Sequence, residues 1–405
     1  MPDSLSLLRE SAFRNFFIGR TISAFGSSLS PLALAFGVLA IGGSATDLGL
    51  VIGAATVPQL LLVLFGGVIG DRFERRRILL ASDVAMGVLQ AVTALLLLTN
   101  HAHVWQLMLL QFGRGCASAF FGPASTGAIR DFVGAAQVQR AQSLLGISRS
   151  TTGIVGPAVA GVIVAIGNPG IALAFDAATF FVSAFALSRI RVPLAAVSLG
   201  SSIRADVVQG WREFASRTWV WVFVVSAGVY QATVLPTIGV LGPVFAQEAL
   251  GGAAAWATIL VARSVGSLLA GVVMLHWRPN RPMFTAILLL FLDLPFLLLM
   301  GMQHVSVFWL SAAGIVAGMA VPMCDTLWFA ALAENVPEEA QSRVSSYDWL
   351  GSLAMAPLGY ALIGGVSNTV GLQATVLGVV LVHIVVDLGV IAVPSIRNLR
   401  RGQPA

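Results

Sequence analysis

Long apolar stretches alternate with short polar segments along the whole chain. A helix needs about 20 mostly apolar residues to cross a bilayer. Twelve stretches reach that length: residues 15–41, 47–70, 78–99, 104–129, 141–166, 169–189, 218–246, 253–277, 283–302, 305–332, 342–366 and 370–393. Strands are disfavoured, because open strands leave backbone groups unpaired in lipid and no alternating pattern of a barrel is present. The pattern predicts an all-α membrane protein with twelve transmembrane helices.

Composition supports a membrane protein and excludes several other classes. Of the 405 residues, 57% are hydrophobic and 10% are charged, against about a quarter charged in soluble domains. A soluble enzyme, a disordered regulator and a nucleic-acid binder are therefore excluded. Cys116 and Cys324 both lie inside apolar stretches, so no disulfide framework is expected. Residues 1–14 contain no cleavage site, so we expect no signal peptide.

The arginines predict the orientation of the chain. The sequence has 23 arginines and no lysine. If the N-terminus is cytoplasmic, 19 of these arginines lie in cytoplasmic segments and none lies in an outer loop. Because cytoplasmic loops of membrane proteins are enriched in positive charge, both termini are predicted to be cytoplasmic.

The chain divides into two similar halves. We predict an N-terminal bundle of six helices at 1–189, a cytoplasmic loop at 190–217 and a C-terminal bundle at 218–405. Within the loop, residues 201–216 read as an amphipathic helix at the membrane surface, whose apolar side carries Ile203, Val207, Trp211 and Phe214. The halves echo each other about 200 residues apart in four pairs: Gly122-Pro123 and Val321-Pro322, Ala141-Gln142-Ser143 and Ala340-Gln341-Ser342, Pro157 and Pro357, and residues 71–77 and 276–282. Such duplication is typical of transporters that alternate access to a central site.

The loop after the second stretch carries a dense motif, Gly66-Gly67-Val68-Ile69-Gly70-Asp71-Arg72-Phe73-Glu74-Arg75-Arg76-Arg77. Its glycines allow two helices to approach closely. Asp71 can accept hydrogen bonds from the exposed amides of a helix N-terminus, which by the internal symmetry is the start of the eleventh helix. The arginines are expected to bind anionic headgroups; alternatively, they only determine topology.

This loop resembles the signature of the major facilitator superfamily, with Gly67, Asp71, Arg72, Arg75 and Arg76 matching and Glu74 replacing a glycine. The chain also resembles the drug-efflux and siderophore-export branch of this superfamily, which includes macrolide-efflux proteins and enterobactin exporters. A second segment resembles the antiporter motif of the superfamily through Gly153, Gly156, Pro157 and Gly161. The resemblance implies two six-helix bundles and export in exchange for a cation; alternatively, the small residues serve only helix packing.

Charges inside spanning helices are costly and therefore mark candidate functional sites. The candidates for proton or substrate coupling are Arg20, Arg114, Arg149, Arg263, Asp293, Asp325 and Asp348. Arg263 and Asp293 both lie roughly 15 Å deep, so we expect them to pair, either as a structural ion pair or as part of a proton site. Arg149 is expected to form an ionic latch with Asp348, with Asp325 as a second partner. Arg114 has no acid at its depth in the first half and is expected to face a cavity.

Other polar residues of the helices receive structural interpretations. Asp83 is expected to be a partner of the arginine loop, Asp176 and Asp387 to be packed polar groups, and His383 to stand alone in the last helix. No two histidines have metal-ligand spacing, and no phosphate-binding or hydrolase motif occurs. We therefore expect no metal, no cofactor and no enzymatic activity, and we expect transport to be driven by an ion gradient.

The predicted cavity is apolar and aromatic, with a few polar points. Its candidate residues are Phe25, Phe36, Gln111, Phe120, Tyr230, Gln231 and Trp328. Such a pocket suits amphipathic organic cargo. We predict a monomeric proton-coupled exporter of lipophilic small molecules, such as drugs, antibiotics or siderophores, in the cell membrane. Its partners are the cargo, protons and lipid, with no nucleic acid. The alternatives are a carrier for metabolite uptake or facilitated diffusion and, more remotely, a membrane sensor without transport activity.

Overall fold

The structure is a computed structural model that describes residues 6–72, 74–134, 137–190, 210–302 and 304–401. Within these residues every regular element is helical. The first half contains a 3₁₀ turn at Ser6–Arg9 and six long helices: α1 (Ser11–Ala40), α2 (Ala45–Arg72), α3 (Arg75–Leu98), α4 (Val104–Val133), α5 (Val138–Ile166) and α6 (Pro169–Ser188). The predicted stretches of this half each fall on one of these helices.

The second half contains six further long helices, several of them interrupted. They are α7 (Thr218–Pro236, continued through Leu250), α8 (Ala253–His276), α9 (Pro282–Met300), α10 (Val307–Asn335), α11 (Glu338–Ala354 and Ala356–Val370) and α12 (Leu372–Ala392), followed by a short α13 (Pro394–Arg397). Of the predicted amphipathic segment, residues 210–215 are described and helical. There, Trp211 and Phe214 both pack against the ring of Tyr347 in α11, at 5.7 Å between centroids.

Local sequence sets where the helices begin. Ser44 and Asp47 form a reciprocal cap at the start of α2, in which the Asp47 amide donates to the Ser44 hydroxyl and the Ser44 amide donates to the Asp47 carboxylate. The Asn168 side chain accepts from the Gly170 amide at 2.7 Å, and Pro169 occupies the first position of α6, where its missing amide costs nothing.

Prolines account for the interruptions of the second half. In α9 a 3₁₀ turn at Phe291–Asp293 stands just before Pro295, and in α11 the break at Met355 stands just before Pro357. Proline cannot donate a backbone hydrogen bond and its ring clashes with the preceding turn. In α7, π turns at Thr237–Leu241 and Ala246–Leu250 flank Pro243. Such irregular turns often occur at functional positions of helices.

The helices are long and apolar enough for a multi-pass membrane protein. Among the described residues, eleven helices meet both conditions. The remaining long helix, α4, has 30 residues but is not one of the eleven. The predicted all-helical architecture is thus confirmed. The number twelve and the cytoplasmic position of the termini remain predictions.

The described residues form two compact units. One lies within Met1–Leu199 together with Gly252–Ala257, and the other lies within Gly200–Gly251 and Thr258–Ala405. In the first unit α1 packs against α5 and α6, and α3 packs against α4 and α6. In the second unit α7 packs against α11 and α12, and α9 packs against α10 and α12. These helix pairs of the first unit therefore recur in the second unit, six helices later.

Two glycine contacts recur at the same spacing in both units. A Cβ atom at Gly115 would overlap the Ala55 carbonyl of α2, and one at Gly318 would overlap the Arg263 carbonyl of α8. Likewise, Gly156 lies against Ser28 of α1, and Gly359 lies against Ala232 of α7. Both pairs of glycines are 203 residues apart, about one helical turn from the offset of the sequence echoes. Close packing of backbones at small residues is therefore part of the repeat.

Candidate functional site

The arginines after α2 bind the protein itself. Arg75 Nη1 lies 2.7 Å from Asp131 Oδ2, and both side chains are largely buried. Arg76 donates to the carbonyls of Leu187 and Ser188 at the end of α6, at 3.2 and 2.6 Å, where helix carbonyls lack partners. These two arginines therefore contact protein acceptors, and binding of lipid headgroups by the loop remains a prediction.

The rest of this motif is only partly described. Gly67, Asp71 and Arg72 belong to the last turns of α2. The side chains of Asp71 and Arg72 lie outside the described part of the structure. The contact expected between Asp71 and the start of α11 therefore remains a prediction. Glu74, which replaces the glycine of the superfamily pattern, forms an ion pair with Arg77 at 2.8 Å.

The motif in α5 has two tightly packed glycines and one open glycine. Gly156 is buried against Ser28 of α1, and Gly161 is also buried. A Cβ atom at Gly153 would have no neighbour within 4 Å. Pro157 lies inside α5, which continues through it without a break. Close packing therefore explains Gly156 and does not explain Gly153.

A buried polar network connects four helices of the first unit. Arg114 of α4 donates to Ser30 of α1 at 2.9 Å and lies 3.4 Å from the Asp176 carboxylate of α6. Gln90 of α3 donates to the same serine and to the same carboxylate, at 2.9 and 2.8 Å. The expectation that Arg114 lacks an acidic partner is therefore wrong, and Asp176, which was expected to be a packed polar group, is buried and is that partner. Counting from the N-terminal ends of α4 and α6 places both residues within about one turn of the same depth.

A second buried pair lies nearer the start of α1. Asp83 of α3 is completely buried, and neither of its carboxylate oxygens has a hydrogen-bond partner among the described residues. It interacts electrostatically with Arg20. The Arg20 guanidinium also stacks on the Phe121 ring, 4.5 Å from its centroid, a favourable cation–π arrangement. Asp83 was expected to pair with the arginine loop. Arg75 and Arg76 of that loop contact other residues, and the side chain of Arg72 lies outside the described part of the structure, so this expectation remains a prediction.

The second unit contains a larger polar cluster around Asp293. Arg263 of α8 lies 3.3 Å from Asp293 Oδ1, and the Tyr230 hydroxyl of α7 donates to Asp293 Oδ2 at 2.7 Å. The Arg263 guanidinium stacks over the Phe296 ring at 4.8 Å. Asp293 itself ends the 3₁₀ turn of α9. The contact that the sequence predicts between Arg263 and Asp293 is present, with Tyr230 as an additional partner.

The histidine of α12 is part of the same region. His383 Nδ1 lies 3.1 Å from Asp387 Oδ2, one turn later in the helix, and His383 Nε2 lies 3.1 Å from the Leu290 carbonyl oxygen. Its ring is edge-on to the Tyr230 ring at 5.7 Å. His383 is therefore not alone, and Asp387 is a buried polar group, as expected, that pairs with it. The i,i+4 spacing of the two residues, which places them on one face of a helix, could have indicated this pair.

A cavity of about 260 Å³ lies inside the second unit. Its lining is mostly apolar, with aromatic rings from α7, α10 and α11. Three of the predicted cavity residues, Tyr230, Gln231 and Trp328, contribute to it, together with the predicted coupling residues Asp325 and Asp348. Five of the residues singled out in the sequence therefore line one pocket, although the sequence did not predict that they lie together.

Hydrogen bonds fix the Asp348 carboxylate at the cavity, and ring stacking fixes Trp328 beside it. Trp328 Nε1 donates to Asp348 Oδ2 at 2.9 Å, and Ser352 donates to Asp348 Oδ1 at 3.2 Å. The Trp328 ring stacks on Phe223 with 4.1 Å between centroids. Asp325 is close enough to Asp348 for the two carboxylates to repel each other. No arginine is among the described residues that line the cavity.

The remaining predicted residues belong to the first unit. Phe25 packs edge-on against Phe175 at 5.9 Å. Phe36 and Gln111 are buried, Phe120 is partly buried and Arg149 is exposed. Their assignment to a cavity or a latch remains a prediction.

Sequence comparison identifies the family of this chain. The family model described as Major Facilitator Superfamily matches residues 16–360. Together with the helical architecture this defines a multi-pass membrane transporter. The chain belongs to the Major Facilitator Superfamily.

Curated relatives indicate the branch of the superfamily. The multidrug efflux pump Tap of Mycolicibacterium fortuitum is 26% identical over 399 residues, which cover 92% of this chain and 93% of that protein. Macrolide efflux protein A of Streptococcus pyogenes is 22% identical over 373 residues, which cover 89% and 90%. These matches confirm the resemblance to drug-efflux transporters, and the relatives are transporters, not enzymes.

Solved structures share the fold at low sequence identity. The nucleoside transporter NupG aligns with a TM-score of 0.75 and 12% identity, covering 94% of this chain and 98% of the other. A bacterial homologue of the human lysosomal transporter Spinster aligns with a TM-score of 0.70 and 15% identity, covering 97% and 98%. These similarities support the fold.

Proposed function

We propose that this protein is a proton-coupled exporter of lipophilic or amphipathic small molecules, working by alternating access in the cell membrane. The observation that carries the proposal is the cavity of the second unit, which combines aromatic walls with two carboxylates. Apolar pockets with few polar groups suit organic cargo. The relatives named as multidrug and macrolide efflux proteins support the same direction of transport.

The charge of the cavity narrows the cargo class. Asp325 and Asp348 are close to each other in a largely apolar pocket. Two negative charges in such a site repel each other, so a bound cation or a proton would stabilise the pocket. Cationic or uncharged amphiphiles are therefore favoured as cargo, and anionic compounds are disfavoured. Aromatic rings such as those of Trp328 and Phe223 would add cation–π attraction.

The topology of the proposal follows from the charge distribution. Twelve spans, with α4 as the fourth, place both termini in the cytoplasm and the arginine-rich connections on the same side. The latch between Arg149 and the acids Asp325 and Asp348 belongs to this proposal as the element that would close the cytoplasmic side. We propose that one copy of the chain is sufficient for transport, since each chain supplies both units.

Efflux from intact cells tests the proposal. Cells that express the protein are loaded with ethidium, a permanently charged aromatic cation, and then energised while fluorescence is followed. We expect rapid efflux that a protonophore stops. Asp325→Asn and Asp348→Asn are expected to slow efflux strongly, because they remove the charges that attract the cation.

Asp47→Asn is the matched control. Asp47 is a partly buried carboxylate in the first turn of α2 that accepts from the Ser44 amide, and an asparagine side-chain oxygen can accept the same bond, so efflux should be unchanged. Efflux that persists with a protonophore, or that is equal in the two cavity variants and the control, would contradict the proposal. The alternative of uptake or facilitated diffusion predicts faster ethidium entry in expressing cells.

A further inference from the structure

His383 and Asp387 form a buried pair, and neither residue is among the described residues that line the cavity. Both lie on α12, with exposed fractions of 3% and 1%. The imidazole reaches two acceptor atoms at the same distance: Asp387 Oδ2 from Nδ1, and the Leu290 carbonyl oxygen of α9 from Nε2. Leu290 stands where α9 changes into the 3₁₀ turn that ends at Asp293. The pair therefore connects α12 to the irregular part of α9.

The geometry requires one additional proton in this pair. A carbonyl oxygen only accepts hydrogen bonds, so Nε2 must carry a hydrogen. In a neutral imidazole the other nitrogen, Nδ1, is then an acceptor. It faces Asp387 Oδ2 at 3.1 Å, and a carboxylate without a proton is also only an acceptor. Asp387 Oδ2 has no hydrogen-bond partner among the described residues, and two buried acceptors in contact would be strongly unfavourable, so this contact requires a proton on Nδ1 or on Oδ2.

The charges around the pair determine how costly the loss of this proton is. Three further ionisable groups face it: Asp293 on α9, Tyr230 on α7 and Cys324 on α10. Arg263 on α8 reaches the group through Asp293. Arg263 balances Asp293, and Tyr230 donates to Asp293. With the shared proton present, the cluster is neutral. If the proton leaves, one buried negative charge remains beside Asp293, which is costly unless the surroundings rearrange or a cation approaches.

The pair is connected to the cavity. The Ser226 hydroxyl of α7 interacts with Asp387 and also lines the cavity, as do Tyr230 and Leu290. A hydroxyl can donate and accept at once, so Ser226 can pass a proton between the cavity and the Asp387 carboxylate.

We propose that His383 and Asp387 form the proton-carrying site of the second unit, which exchanges one proton with the cavity through Ser226 during the transport cycle. This inference rests on the proposed proton-coupled export, because it names the group that carries the coupling ion. Binding places the proton between Nδ1 and Oδ2. Release leaves neutral His383, with its hydrogen on Nε2, and an ionised Asp387.

Proton flux in proteoliposomes tests the site, with ethidium as the cargo. Purified wild-type protein should move protons against the direction of ethidium movement when an ethidium gradient is imposed, as seen by a pH-sensitive dye. Asp387→Asn should lose this proton flux and keep ethidium binding, because the asparagine amide can donate to Nδ1 but does not titrate. Asp47→Asn should retain the flux. Undiminished flux in Asp387→Asn would overturn the inference.

A second measurement does not depend on transport. The protein has five histidines, so ¹⁵N-histidine labelling gives few signals, and His383→Gln identifies the signal of His383. Wild type should show a pH-dependent change at Nδ1, where the hydrogen bond is lost on proton release, and Asp387→Asn should show none. A pH-independent Nδ1 signal in wild type would overturn the inference.

The two measurements separate this inference from the proposed function. If wild type moves no protons with ethidium but the Nδ1 signal changes with pH as expected, the proposed coupling to export is wrong and the proton site stands. If Asp387→Asn does not fold, as judged by size-exclusion chromatography, His383→Gln replaces it in the flux measurement. Retained flux in that variant would overturn the proton site.

Discussion

Arg75 binds the start of α3 to the end of α4 through Asp131. Because both side chains are mostly buried, removing one charge leaves the other without a partner, which costs more than the ion pair contributes. We expect Arg75→Ala to lower the free energy of unfolding by roughly 1–3 kcal/mol. Thermal unfolding of the purified protein in detergent measures this.

The control for this prediction uses the same residue pair. Arg75→Ala combined with Asp131→Ala should be more stable than Arg75→Ala alone, since no unpaired carboxylate remains. Equal melting temperatures of wild type and Arg75→Ala would contradict the structural role of this arginine and would favour the role in topology alone.

At the same scale, depth along a helix predicts which charges can meet, but not which helices are neighbours. Arg263 and Asp293 were paired from depth, because α8 and α9 follow each other in the chain. Arg114 and Asp176 were missed, since α4 and α6 are separated by α5. The contact between His383 and the Leu290 carbonyl oxygen could not be predicted, because every residue has a backbone carbonyl and the sequence does not indicate which one is contacted.

At the scale of elements, the α5 motif gives a matched pair of substitutions. Gly156→Ala would place a Cβ atom into Ser28 of α1, whereas Gly153→Ala would meet open space. We expect Gly156→Ala to destabilise the protein by roughly 1–3 kcal/mol through overpacking. Gly153→Ala should be neutral or stabilising by up to about 1 kcal/mol, because alanine favours helix. Melting temperatures of the two variants measure the difference.

The internal repeat supplies an independent check of this prediction. Gly359→Ala would overlap the Ala232 carbonyl, whereas Gly365→Ala has no neighbour within 4 Å. The same order of stabilities should therefore appear in the second unit. Equal effects of the tight and the open position in either unit would show that the backbones approach less closely than described.

The length and spacing of helices were predictable because bilayer thickness fixes them. The predicted bounds of α6 differ from the observed ones by one residue, Arg189. The π turns of α7 and the 3₁₀ turn of α9 were not predicted, since hydropathy does not respond to local changes in hydrogen bonding. Pro243 and Pro295 were the available signals.

At the scale of the whole molecule, the number of crossings and the side of each loop can be tested together. In a protein without its two native cysteines, His103→Cys should react with a membrane-impermeant maleimide in intact cells. Arg278→Cys should react only after permeabilisation, because five spans, α4 to α8, separate the two sites. Labelling of both sites from outside would mean that one of these helices, such as α4, does not cross.

The family was predictable from the sequence because its motif survives in the loop after α2, and the comparisons confirm it. The cargo and the coupling ion were not predictable, since they depend on which side chains meet in a cavity. Asp325 and Asp348 lie on different helices, and only the fold places them in one pocket with Trp328.

The most direct test of proton-coupled export is ethidium accumulation in everted membrane vesicles with an acidic interior and a clamped membrane potential. A permanently charged cation is required, because weak bases accumulate in acidic vesicles without any protein. The account predicts accumulation that needs both the protein and the pH gradient and that ends when nigericin collapses the gradient. Ethidium levels that are the same with and without the gradient would contradict it.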